Sequence, residues 1–143
     1  MSSNSSDLTF EQIKIGYNKE FQVVITESLV NDFAKITGDF SPIHINENFA
    51  KSKKFKGRVV HGMLLASFLS QMVGMYLPGK HAIYLSQSLE FHNPCFINDK
   101  ITISSVITDK SEATKIIKIN SEIINEKNEI LLNGTGKIIV RDD

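Results

Sequence analysis

The spacing of apolar residues changes partway along the chain. Over residues 29–36 they recur at helical spacing. Thr26 before this run is suited to cap a first helical turn, and Gly38 after it is suited to end a helix in the left-handed conformation. Beyond Lys80, apolar and polar residues alternate, which is the period of a strand with one buried face. The pattern predicts mainly helices in the first half and strands in the second.

Residues 63–75 differ from the first helix because they leave almost no polar stripe. A helix that is apolar nearly all round is expected to be buried on most sides. Gly74 and the Pro78-Gly79 pair are suited to end it. We therefore predict a central helix enclosed by the rest of the chain.

Five segments predict the strands that enclose this helix. They are rich in isoleucine and other β-branched residues or alternate in polarity, and they cover residues 21–25, 83–91, 101–108, 115–124 and 130–140. Short turn-forming links join the last four, which favours an antiparallel meander. The predicted fold class is α+β, an antiparallel five-stranded sheet wrapped around a central buried helix. We expect residues 1–8 to form a disordered tail and residues 9–143 to form a single domain.

Composition and charge exclude several classes of partner. The 143 residues include 16 basic and 16 acidic side chains, so no net field favours nucleic acid or an anionic membrane. The longest apolar stretch, residues 63–76, is interrupted by polar residues and is too short to span a bilayer. Cys95 is the single cysteine, which excludes an internal disulfide and favours a reducing compartment. Because the polar N-terminus lacks signal-peptide features, we expect a cytoplasmic protein.

Asp39 and His44 are the candidate catalytic pair, because they lie on one short segment between structure-breaking residues. Pro42 disfavours helical geometry at Ser41, so we expect both side chains on an irregular loop. An imidazole titrates near neutral pH, and a neighbouring carboxylate can orient it or share its proton transfer. The alternative is an exposed turn in which Asp39 caps a neighbouring amide.

Gly62 is the second candidate feature, since it follows His61 directly at the start of the central helix. A glycine there lets a ligand approach free backbone N–H groups, whose dipoles stabilise developing negative charge. The alternative is that Gly62 permits close packing of helix against sheet. His61 is a candidate substrate contact, with packing in the core as its alternative.

Four blocks of sequence occur in the same order as in a known family. They cover residues 37–46, 60–67, 77–79 and 84–91, within a match that runs from about Phe21 to Val140. Together they resemble the MaoC-like (R)-specific hydratases, which include enoyl-CoA hydratases and mitochondrial 3-hydroxyacyl-thioester dehydratases. The resemblance implies a hot-dog fold, in which the sheet wraps the long helix. It also implies a homodimer or higher oligomer with joined sheets and an acyl tunnel at or near the subunit interface.

The resemblance further implies an activity in fatty-acid metabolism. The reaction is the reversible hydration of trans-2-enoyl thioesters to (R)-3-hydroxyacyl thioesters, with an acyl-CoA or acyl-carrier-protein thioester as substrate. No metal or other cofactor is implied, because the thioester already activates the double bond. The alternatives are a hot-dog thioesterase, which hydrolyses the C–S bond, and a non-catalytic acyl-thioester binder.

The matching positions assign roles to individual residues. Asp39 and His44 correspond to the catalytic dyad, the Gly62 N–H to the oxyanion donor, and Ser70 to a supporting hydroxyl behind them. Ser41 stands where the family usually has asparagine, and we expect its side chain to hold the loop by local hydrogen bonding.

The tunnel and its mouth supply the remaining candidates. Phe68, on the central helix, is expected to contact the acyl chain. Arg58 closes a basic cluster that either is a solvated face or meets the phosphates of coenzyme A or an acidic carrier protein. The other members of this basic cluster, which we call the lysine cluster, are Lys51, Lys53, Lys54 and Lys56. His81 and His92 have no ligand-like spacing with Cys95, so the sequence predicts no metal site.

Overall fold

A six-stranded antiparallel sheet frames the fold. The structure, a computed structural model, describes residues 4–143. Within that range the strands are β1 (Asn18–Val24), β2 (Ala82–Gln87), β3 (Glu90–Phe91), β4 (Lys100–Ser111), β5 (Ile116–Ile124) and β6 (Ile130–Val140). They are ordered β1-β4-β5-β6-β2, and the short β3 also pairs with β6. All five pairings are antiparallel, as predicted.

The helices lie between β1 and β2. They are α1 (Glu27–Thr37), α2 (Pro42–Ile45), α3 (Glu47–Ser52) and α4 (Gly62–Gln71), and α4 continues into a π-helical turn over Met72–Tyr76. The predicted ends of α1 are confirmed, because the Thr26 hydroxyl accepts from the Leu29 N–H at 3.2 Å and Gly38 has a φ of +78°. No helix within residues 4–143 combines the length and apolar character needed to cross a membrane.

The core lies between α4 and the inner face of the sheet. Every second residue is buried along much of β4 and β5, and the apolar ones are Ile101, Ile103, Ile107, Ile117, Ile119 and Ile123. They form one cluster with Leu64, Leu65 and Leu69 of α4. Removing this apolar surface from water is the main force that holds helix and sheet together. The predicted central helix is confirmed, except that Met63, Ser67 and Ser70 remain exposed along one side of α4.

The sheet has six strands instead of the predicted five because the segment 83–91 is interrupted. Its two parts, β2 and β3, both pair with β6. At the break, the Ser88 hydroxyl accepts from the Thr135 N–H at 2.9 Å. Gly134 is required beside it, since a Cβ there would lie 1.8 Å from the Ser88 carbonyl oxygen. The break depends on a cross-strand contact, which the polarity of the segment alone does not identify.

The N-terminal segment is ordered earlier than predicted. The Lys80 N–H donates to the Ser6 carbonyl oxygen at 2.9 Å. The Asp7 carboxylate lies 2.7 Å from His81 Nε2 and 3.3 Å from Lys80 Nζ, and these contacts hold the pKa of Asp7 below its usual value. The predicted disordered tail is therefore wrong for residues 6–8, because backbone pairing and ionic contacts dock them. Its first three residues lie outside the described range.

Candidate active site

Asp39 lies directly after α1, in a turn that fixes one side of its carboxylate. Its N–H donates to the Thr37 hydroxyl at 3.2 Å, and its Oδ1 accepts from the Ser41 N–H at 3.1 Å. The loop is thus held by the Ser41 backbone and not by its side chain, which makes no capping hydrogen bond. The second carboxylate oxygen, Oδ2, is left for a ligand, and the side chain is 47% exposed.

His44 lies in the one-turn helix α2 and not on an irregular loop as predicted, because Pro42 occupies the first helical position. Proline is well suited there, since its missing N–H would have no partner in the helix. His44 Nδ1 lies 2.7 Å from the Val59 carbonyl oxygen. Because a carbonyl only accepts, Nδ1 carries the proton in the neutral ring and Nε2 presents a lone pair.

The two remaining acceptor atoms of this pair lie near each other. Nε2 of His44 is 3.8 Å from Oδ2 of Asp39. This distance is too long for a direct hydrogen bond, and it allows one oxygen atom to bond to both groups. Two acceptors at this spacing suit a water molecule, whose two O–H groups donate to them. The structure brings the predicted pair together in a geometry that can hold water and remove its proton.

His61 lies behind His44 and is 2% exposed. The two rings stack with centroids 3.9 Å apart and an interplanar angle of 25°. His61 Nε2 lies 3.0 Å from the Asp39 carbonyl oxygen, and Nδ1 has no hydrogen-bond partner among residues 4–143. Burial lowers the pKa of His61, so its ring is neutral at pH 7. The structure favours the packing alternative for His61, as a support for both members of the pair.

Gly62 begins α4 beside the pair. Within residues 4–143 its N–H has no hydrogen-bond acceptor, as expected for the first turn of a helix. A Cβ at this position would lie 2.7 Å from Cε1 of Phe91 on β3. The glycine therefore serves the close helix–sheet packing that was its alternative explanation, and it also lines a cavity next to the pair.

A cavity of about 440 Å³ joins these groups, and we call it the dyad cavity. Its walls include Asp39, His44, Gly62 and Cys95. Burial raises the pKa of the Cys95 thiol to about 12, so the thiol stays protonated and is not a nucleophile. The groups of the pair and the N-terminus of α4 therefore face one space, which His61, His92 and Asn93 also line.

A second cavity of about 590 Å³ shares Asp39 and Met63 with the dyad cavity, and we call it the apolar cavity. Its remaining lining residues are Phe33, Thr37, Ala66, Ser67, Leu69, Ser70, Tyr84, Gln87 and Leu89. Burial raises the pKa of Tyr84 to about 12, so its hydroxyl stays protonated, and it donates to the Gln87 side chain. The cavity suits a hydrocarbon chain that extends from the pair.

One side of α4 faces the apolar cavity, and Ser70 and Phe68 differ in their position relative to it. Met63, Ala66, Ser67 and Ser70 follow the helical period and line the wall. Ser70 belongs to that wall and makes no hydrogen bond to Asp39 or His44. Phe68 points off this face and packs, partly buried, against the core. Phe68 is not among the lining residues of either cavity, and its contact with the acyl chain stays a prediction.

Arg58 is buried, although the sequence predicts it as part of a basic cluster that is either solvated or in contact with substrate. It is 9% exposed, and its guanidinium donates to three acceptors within the chain. These are the His44 carbonyl oxygen at 2.7 Å, Glu27 Oε1 at 3.0 Å and Asn31 Oδ1 at 2.6 Å. The four lysines of the cluster are exposed, as predicted for them.

Several functional contacts were missed by sequence reasoning. The Val59 carbonyl that orients His44 has no signature in the sequence, because every residue has a carbonyl. Met63 and Tyr84 lie in the family-like segments 60–67 and 84–91, but the sequence pattern indicates only a helix and a strand there and not the cavity that both residues line. Glu27 and Asn31, spaced one helical turn apart on α1, gave the one usable signal, that of a two-acceptor site for a cation.

Asp39, His44 and His61 are also the group in the described chain whose ligand atoms come within 4.8 Å of one another. A metal ion needs lone pairs that converge on one point. Two imidazoles stacked at 25° direct their in-plane lone pairs along nearly parallel planes. The arrangement therefore favours proton chemistry over metal binding.

Comparison with known proteins finds relatives that match over most of the chain. A family model described as MaoC like domain matches residues 9–128. The chain is 34% identical to the (R)-specific enoyl-CoA hydratase of Rhodospirillum rubrum, over 92% of this chain and 90% of the relative. It is 37% identical to the 3-hydroxybutyryl-CoA dehydratase of Methylorubrum extorquens, over 74% and 70%. The solved (R)-hydratase from A. caviae, described as involved in PHA biosynthesis, has a TM-score of 0.88 at 32% identity and covers 91% of this chain and 98% of its own. The predicted hot-dog fold class is thereby confirmed.

Acid should destabilise the fold through His61. Burial lowers its folded-state pKa below the ordinary value of 6.5, so the unfolded chain binds the proton more readily. The contribution of the neutral ring is therefore complete above 6.5 and is lost as the pH falls below it. In urea titrations, His61→Gln should make the free energy of unfolding fall less steeply with decreasing pH. The exposed His92→Gln control should keep the wild-type slope, and an equally steep fall in His61→Gln would contradict the assignment.

Proposed function

The chain belongs to the MaoC-like domain family, and from this membership we propose that it catalyses the reversible hydration of trans-2-enoyl-CoA to (R)-3-hydroxyacyl-CoA. The observation that carries the proposal is the pair of acceptors, His44 Nε2 and Asp39 Oδ2, 3.8 Å apart at the junction of two cavities. A water held there lies at the start of a cavity suited to the acyl chain. Enoyl thioesters are the substrates on which such a water acts, because their C3 is electrophilic.

Proton transfer is assigned mainly to His44. The neutral ring accepts a proton from the bound water through Nε2 while the Asp39 carboxylate accepts the other O–H and orients the oxygen toward C3. The hydroxyl adds to C3, and the proton taken by His44 passes to C2. One water is thus added across the double bond, and the enzyme returns to its starting state.

The Gly62 N–H is the proposed donor to the thioester oxygen, where negative charge develops during attack. It stands at the N-terminus of the ten-residue helix α4, whose dipole supports the same charge. One donor of this kind contributes about a hundredfold or more in rate. A Cβ here would require the Phe91 ring to move, so packing also favours glycine at this position.

The edge of the sheet supports a homodimer. β2 is the last strand in the order, and its Ile83 and Leu85 are each 51% exposed. An edge strand with exposed aliphatic side chains is a template for pairing with a second copy. Tyr84 and Gln87 of the same strand line the apolar cavity, so a partner at this edge would lie beside that cavity.

The lysine cluster supports coenzyme A as the carrier of the acyl group. Lys56 Nζ lies 4.6 Å from the Phe96 ring centroid, and Phe96 is the neighbour in sequence of Cys95, which lies in the wall of the dyad cavity. Val59, also in that wall, pairs with Phe96 in an isolated bridge. Exposed ammonium groups beside the cavity are placed to attract phosphates. The two curated relatives described above are named for CoA substrates.

Removing either member of the pair should abolish most of the activity without unfolding the protein. We expect Asp39→Asn and His44→Gln each to lower kcat for crotonyl-CoA by about 10²–10⁴-fold. The assay follows loss of enoyl absorbance together with release of free thiol. Asp109→Asn and His81→Gln, which alter residues outside both cavities, should retain wild-type rates. Free thiol as the main product of the wild type would identify a thioesterase, and unimpaired binding with no turnover would identify a binder.

Reversing the charge of the cluster should weaken binding of the charged carrier only. With Lys54→Glu/Lys56→Glu, KM for crotonyl-CoA should rise about tenfold at low salt. KM for the uncharged crotonyl-N-acetylcysteamine thioester should not change. The control is Lys118→Glu/Lys127→Glu, two exposed lysines elsewhere on the chain. Equal effects on both substrates, or an effect confined to a carrier-protein substrate, would refute the role for coenzyme A.

A charge in the middle of the β2 edge should prevent dimerisation. Analytical ultracentrifugation of the wild type should give at least twice the mass of the chain, and Leu85→Lys should give the monomer. The matched control is Val24→Lys on β1, the opposite edge of the sheet, where the side chain is 48% exposed. Monomeric wild type, or dissociation by the Val24 variant alone, would rule out the β2 edge as the interface.

A further inference from the structure

Arg58 connects α1 to the backbone of the residue that removes the proton. Its Nε donates to the carbonyl oxygen of His44 at 2.7 Å. Its Nη1 and Nη2 donate to Glu27 Oε1 at 3.0 Å and Asn31 Oδ1 at 2.6 Å. A guanidinium is planar and offers its donors in a rigid fork, so three bonds in fixed directions define its position. We call this set of contacts the Arg58 clamp.

The one-turn helix α2 needs such support. It has only four residues, held by short-range backbone bonds such as those from the His44 N–H to the Ser41 carbonyl and from the Asn46 N–H to the Pro42 carbonyl, both at 2.9 Å. The last carbonyls of a helix have no partner within it. Here the Ile43 carbonyl accepts from the Val59 N–H at 3.0 Å, and the His44 carbonyl accepts from Arg58. Two adjacent residues, 58 and 59, therefore hold the C-terminal end of α2.

The same two residues hold His44 at both ends. Arg58 fixes its main chain, and the Val59 carbonyl fixes its ring through Nδ1 at 2.7 Å. A shift of α2 would lengthen the Nδ1 bond, and the preference for the tautomer with a free Nε2 would then be lost. Burial of Arg58, 9% exposed, makes its bonds stronger than they would be in water. The charge is balanced by Glu27, so the clamp leaves no isolated buried charge.

We propose that Arg58 is a positioning residue, which sets the tautomer and placement of His44 through its backbone carbonyl and is anchored to α1 by Glu27 and Asn31. The expected effect of Arg58 on rate rests on the proposed function. The expected effect of Arg58 on the His44 tautomer is independent of that function. Arg58 is thereby removed from the substrate-binding cluster, and the lysines remain as the exposed positive groups.

The test combines kinetics with nitrogen NMR of the four histidine rings. In the wild type, His44 should show the tautomer with hydrogen on Nδ1. Arg58→Met should give a mixture of tautomers and lower kcat for crotonyl-CoA by about tenfold to a hundredfold, because a small displacement of a catalytic group has an effect of that size. KM should stay close to the wild-type value. Arg141→Met, an exposed arginine near the C-terminus, is the matched control and should leave both readings unchanged.

A second variant covers the case in which Arg58→Met does not fold. Asn31→Leu removes one anchor and leaves Arg58 in place, and it should shift the His44 tautomer and kcat in the same direction by a smaller factor. A wild-type His44 tautomer in folded Arg58→Met or Asn31→Leu protein would overturn the proposal, even if activity fell. If the wild type shows no turnover, the proposed function fails, and the tautomer reading still decides whether the clamp exists.

Discussion

The hydrogen bond from His44 Nδ1 to the Val59 carbonyl is the contact on which the site depends. At 2.7 Å it fixes which ring nitrogen carries the proton, and so leaves a lone pair on Nε2, 3.8 Å from Asp39 Oδ2. In the other tautomer, Nε2 would carry hydrogen and the imidazole could not accept a proton from water. One backbone carbonyl therefore decides whether the His44 ring can act as the base. The contacts around it, from the stacked His61 ring to the Arg58 clamp, keep α2 where this bond can form.

The elements that position the site differ from those that supply most of the buried core. The central strands β4 and β5 supply much of the buried core, whereas the pair, its supports and most cavity walls come from α1 to α4 and the β2–β3 edge. Loops held by a rigid scaffold can carry chemistry because the scaffold supplies the folding free energy. The break between β2 and β3 allows Phe91 to lie against Gly62, so the sheet edge also shapes the entrance to the dyad cavity.

Periodic features could be predicted from the sequence, and contacts between distant segments could not. The ends of α1 followed from Thr26 and Gly38, and the burial of α4 followed from its missing polar stripe. The pairing of Asp39 with His44 followed from their place on one short segment and from a family resemblance. The helix α2 did not, because proline both disfavours helical geometry at the residue before it and favours the first position of a helix. The burial of Arg58 could not be predicted, because its partners Glu27 and Asn31 lie on α1, far from it in sequence. Its sequence neighbours are lysines, which indicate only a basic cluster.

The most direct test of the central claim is a crystal structure with (R)-3-hydroxybutyryl-CoA bound, at a resolution that defines the product hydroxyl. We expect the 3-hydroxyl oxygen within hydrogen-bonding distance of both His44 Nε2 and Asp39 Oδ2, in the place assigned to the attacking water. The thioester oxygen should face the Gly62 N–H. A product whose hydroxyl lies away from both groups, or a His44 ring that bonds the Val59 carbonyl through Nε2, would contradict the mechanism.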